Sequence, residues 1–118
     1  MDNDKESLNV DINRESMETN LQFLANTDVN YARAKTLYDG LMEQRKTIKA
    51  NCFIRSGDKS ATAKEQAAYS MPDYVMHLRK IETAQLEYLT LQAQRSTASI
   101  VIDCWRSLNA ARTKGMII

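Results

Sequence analysis

The residues with the clearest capacity for chemistry are the cations between positions 45 and 64. Arg45, Lys46, Lys49, Arg55, Lys59 and Lys64 fall there with Asp58 as the only acid, a local charge of +5 in twenty residues. Closely spaced cations of this kind bind a row of phosphates, because neutralising them releases condensed counterions. Phe53 stands two residues from Arg55 and offers a ring on which an unpaired base could stack. Ser56-Gly57 would let backbone N–H groups approach a phosphate. The competing reading is a solvated loop between charged helix ends.

A second group lies in Cys104–Ile118, CWRSLNAARTKGMII, with the single tryptophan. On a helix, Trp105, Leu108 and Arg112 fall within about 60° of one another, which makes them candidates for an oligomer or partner interface. Other chemistry is poorly served. His77 is the one histidine and reads as a polar or half-buried helix residue. Neither it nor Cys52 or Cys104 has a ligand neighbour at i+3 or i+4. No Gly-rich loop resembles a phosphate cradle, and no serine sits in a nucleophile elbow. The chain reads as non-enzymatic, with no cofactor and no metal.

Long helices would have to position these groups. Three glycines and one proline in 118 residues are too few for an all-β protein, and good helix formers dominate. An all-α fold is expected. Residues 1–19 carry six acids against Lys5 and Arg14, and read as an acidic, flexible arm. The remaining 99 residues carry 14 basic and 9 acidic side chains. From about Asn20, the residues Tyr31, Ala34, Leu37, Tyr38, Leu41, Ile48 and Cys52 trace one apolar stripe that contains Arg45, which either snorkels out at its edge or faces a shared interior or a ligand. Ser56-Gly57-Asp58 signals a turn. Thr62 and Glu65 match a capping box for a short helix ending near Tyr69, and Ser70-x-x-Asp73 matches another, with Pro72 in the first turn. A second long helix follows, with Leu86, Leu89, Ala93, Thr97, Ile100, Val101, Cys104, Leu108 and Ala111 as its expected buried side. Gly115 is the expected helix stop.

The resulting architecture is an antiparallel hairpin of two long helices over residues 20–115, with a short helix in the connection and an apolar tail, 116–118. Such a hairpin has a thin core, so assembly into an oligomeric bundle or ring is expected. No stretch could span a membrane, and the start lacks a signal peptide's apolar core. Both features, with two cysteines read as buried hydrophobes, fit the cytoplasm.

The ending Leu108–Gly115, LNAARTKG, resembles the UvsY-type recombination mediators of phages. The layout is similar too: a first helix ending in the basic segment with Lys46 and Lys49, a Ser56-Gly57-Asp58 loop, a spacer and a long helix. The resemblance implies a non-enzymatic accessory that assembles as a ring and binds single-stranded DNA. It would help a RecA-like recombinase replace single-strand-binding protein, in the cytoplasm of an infected bacterium. This chain ends three residues after Gly115, whereas that family continues into further helix. Two other readings stay open: a helical protein–protein interaction module acting on a host or phage protein, and a structural phage component.

Overall fold

A computed structural model describes residues 11–57 and 60–115. Three helices run in order: α1, Arg14–Arg55; α2, Ala61–Ser70; and α3, Pro72–Thr113, with no strand among the described residues. The all-α expectation holds, as a long helix pair with a short helix between. The 1–10 part of the expected arm, Asp58, Lys59 and the 116–118 tail lie outside the described residues.

The helix ends follow local hydrogen-bond chemistry, not always that expected. α1 begins at Arg14, ahead of Asn20, because Asn13 and Ser16 cap it reciprocally. The Asn13 N–H donates to Ser16 Oγ at 3.0 Å and the Ser16 N–H donates to Asn13 Oδ1 at 2.8 Å. α2 is capped by Ser60, not Thr62: the Ala63 N–H donates to Ser60 Oγ at 3.1 Å. Ser70 does not cap α3 either. Its hydroxyl donates back to Ala67 O at 3.1 Å, and α3 opens on Pro72, whose missing N–H would have had no helical partner. At the far end Gly115 takes φ of 75° and donates to Arg112 O at 2.9 Å, ending the helix where expected.

The chain forms two compact units. The first is residues 29–91. Here Tyr31, Ala34, Tyr38, Leu41, Ile48 and Cys52 of α1 and Tyr74, His77, Ile81, Ala84, Tyr88 and Leu91 of α3 form a buried or half-buried row, with Met42, Lys49, Phe53, Val75 and Leu78 half-buried beside it. Steps of three and four alternate on α3 and, with Arg45 included, on α1, the repeat of a coiled-coil seam. Arg45 is exposed. The direction is antiparallel: Leu41 meets His77, Tyr31 meets Tyr88, and Arg55 meets Asp73. Tyr88 stacks on both Tyr31 and Tyr38, each with centroids 5.7 Å apart. Cys52, Ala68 and Tyr74 form a closed cluster with Ile48, Phe53, Met71 and Leu78 around it, which seats α2 on the long pair.

The second unit joins residues 11–28 with residues 92–115. Ala98 and Val101 are buried; Met17, Leu24, Ile102 and Trp105 are half-buried. Arg95 ties the two segments. Its guanidinium donates to Leu24 O at 3.0 Å, Thr27 Oγ1 at 2.7 Å and Asp28 Oδ1 at 2.6 Å.

The expected buried side of α3 is therefore largely wrong. Leu86, Leu89, Ala93, Thr97, Ile100 and Cys104 are exposed, and of that set Val101 alone is buried, with Leu108 and Ala111 half-buried. Leu37 is exposed on α1. Cys52 is buried as expected, but Cys104 is not. The physical reason is that the real seam carries polar residues with partners, so counting apolar side chains selects the wrong stripe.

Candidate nucleic-acid interface

The basic segment lies in the last turns of α1, where the helix presents Lys46, Lys49, Ala50, Phe53 and Ile54 along one side. With Glu65 of α2 these line an open groove of about 560 Å³. Helical spacing produces this, since 46, 49, 50 and 53 are three or four residues apart. Phe53 is half-buried against the Cys52 cluster, so its ring is held by packing. Lys64 of α2 places its ammonium 5.6 Å from the Phe53 centroid. Ile54 is 74% exposed beside it. The groove thus joins an aromatic face, two aliphatic walls and cations at its rim.

The predicted cations do not all stand in equal positions. Lys49 donates to Tyr69 Oη at 2.6 Å and to Glu65 Oε1 at 3.4 Å, and lies 4.4 Å from the centre of the Tyr69 ring. The Tyr69 hydroxyl first, and Glu65 after it, hold its pKa above the ordinary lysine value. Arg55 donates to Asp73 Oδ2 at 2.7 Å and to Cys52 Sγ at 3.6 Å; Asp73 chiefly raises its pKa. Arg45, Lys46 and Lys64 make no ion pair among the described residues. Arg45 and Lys46 are exposed and Lys64 is half-buried. Lys59, also predicted, lies outside the described residues.

Sequence reasoning missed Glu65, Tyr69 and Asp73 as the groups that engage two of the cations. Glu65 stood out only as a capping acid. The Lys49–Glu65 and Arg55–Asp73 pairings are 16 and 18 residues apart and depend on how α2 folds back, which no spacing rule encodes. The other predicted set is at the far end of α3, in the second unit: Trp105 and Leu108 are half-buried and Arg112 is exposed.

Among the described residues, no group of three or more His, Cys, Asp or Glu side chains could hold a metal ion, and no helix is long and apolar enough to cross a membrane. His77 is buried, and its Nε2 lies 2.7 Å from Leu41 O, a structural contact. The fold and groove define a class: an all-α hairpin with a cation-rimmed aromatic groove near its turn. Comparison with protein families, curated proteins and solved structures finds no match for this chain.

Proposed function

We propose that the protein is a non-enzymatic factor that binds single-stranded DNA through the groove formed by α1 and α2. The observation that carries this reading is the Phe53 ring, packed in place, with Lys64 beside it and Lys46 on the same groove. A packed aromatic face binds any base by stacking, and adjacent cations bind the backbone without reading sequence. Lys46, Lys64, Arg45 and Lys59 are the phosphate contacts in this reading. Lys49 and Arg55 contribute less, because Glu65 and Asp73 compete for them.

The resemblance of Leu108–Gly115 to the UvsY-type mediators supports the finer form of the proposal. In that form the protein helps a RecA-like recombinase displace single-strand-binding protein, as an oligomer, in the cytoplasm of an infected bacterium.

Fluorescence anisotropy with a labelled single-stranded oligonucleotide, at low and moderate salt, tests the reading. Binding is expected to fall steeply with salt. The Lys46→Ala, Lys64→Ala double variant should reduce the slope of log affinity against log salt by about 1.4, at about 0.7 per contact for a single strand. Absence of binding at low salt by folded protein would overturn it and favour a protein-binding module.

A further inference from the structure

The 29–91 unit carries a second groove, away from the basic one, with a different character. Leu37 and Leu41 of α1 and Thr83 and Ala84 of α3 make its floor, in a space of about 410 Å³. Arg79 and Lys80 stand at one end and Glu87 at the other. None of these three charges makes an ion pair among the described residues. Leu37 is 53% exposed on this floor, and Met76 and Leu86 of α3 are 57% and 71% exposed. On α3, Met76 lies about 20° and Leu86 about 60° from Thr83, so both fall on the outward side that Thr83 marks.

We propose that this groove is the interface of a homodimer in which α3 of one copy packs antiparallel against α3 of the other, with the twofold axis at Thr83. The charge order selects the occupant. Arg79 and Lys80 precede Thr83 by four and three residues, and Glu87 follows it by four. A twofold axis through Thr83 therefore sets the positive end of each copy against Glu87 of the other, twice. The same operation lays the Lys80 stem over the exposed Leu86 of the second copy. Thr83 and Ala84 are small, so two helices can approach to the 8–10 Å that helix packing needs. The rim pairs set register and orientation, while the leucines supply the driving force.

Sedimentation equilibrium of the full chain over a wide concentration range tests this, with circular dichroism as the check on folding. A monomer–dimer equilibrium is expected. Leu37→Glu, on an exposed helical position, should weaken association at least tenfold with helicity intact. Glu87→Lys alone should also weaken it, by placing like charges together. Adding Arg79→Glu and Lys80→Glu to Glu87→Lys should restore association, since the complete swap recreates the complementarity. A monomer at every concentration would overturn the proposal. So would an oligomer that all these variants leave unchanged, since its interface would then lie elsewhere.

Discussion

His77 Nε2 stands 2.7 Å from the carbonyl oxygen of Leu41, a buried side chain of α3 bonded to the backbone of α1. A carbonyl only accepts, so the ring proton must be on Nε2. The bond fixes which turn of one helix faces which turn of the other. His77→Ala removes both the buried donor and the ring volume, and should cost about 2–4 kcal/mol in urea unfolding. His77→Gln keeps a donor of similar reach and should lose less than half of that.

Arg95 divides its hydrogen bonds among Leu24 O, Thr27 and Asp28. Asp28 is well exposed, with 64% of its side chain accessible, so Asp28→Ala should cost under about 1 kcal/mol. Arg95→Met leaves the Thr27 hydroxyl and Leu24 carbonyl without this donor, and should cost about 2–3 kcal/mol. Comparing the two chemical denaturation midpoints separates the ion pair from the rest of the network.

Gly40 is helical, and a Cβ built there meets nothing within 4 Å. Gly40→Ala should therefore stabilise the fold by about 1 kcal/mol, read as a higher thermal midpoint.

The two thiols differ sharply, Cys52 being fully buried and Cys104 exposed. A colorimetric thiol reagent should titrate one fast equivalent per native chain and two after denaturation.

At the basic groove, Glu65→Gln removes the carboxylate that competes for Lys49. On the DNA-binding reading, it should strengthen single-strand binding and steepen its salt dependence, whereas Phe53→Ala should weaken binding by about 1–3 kcal/mol.

The helix content, the helix break after Arg55 and the stop at Gly115 were legible because each rests on local chemistry: propensity, a helix-breaking Ser-Gly pair, a left-handed glycine. The α1 stripe was nearly legible, since Ala34, Tyr38, Leu41, Ile48 and Cys52 all turn inward to some degree. The face of α3 was not. Its seam runs through His77 and Arg95, which a hydrophobicity count rejects, while Leu86, Leu89 and Ile100 attract the count and face outward. Only the acceptors on α1 make those two polar residues tolerable inside, and acceptors on another helix leave no mark in α3's own sequence. The basic cluster was readable as charge. Its partition into engaged and unpaired cations was not, because Glu65 and Asp73 arrive from elements later in the chain.

The alternating three- and four-residue steps of the 29–91 unit also govern which length changes the gene can accept. One residue added inside α3 turns everything beyond it by about 100°, carrying seam positions out and outward leucines in. Seven residues removed from α1 and seven from the facing stretch of α3, both within this unit, return every remaining side chain to its own face. Additions between Arg55 and Ser60 touch neither seam. Insertions and deletions in this sequence should therefore gather in the turn, or come as paired sevens.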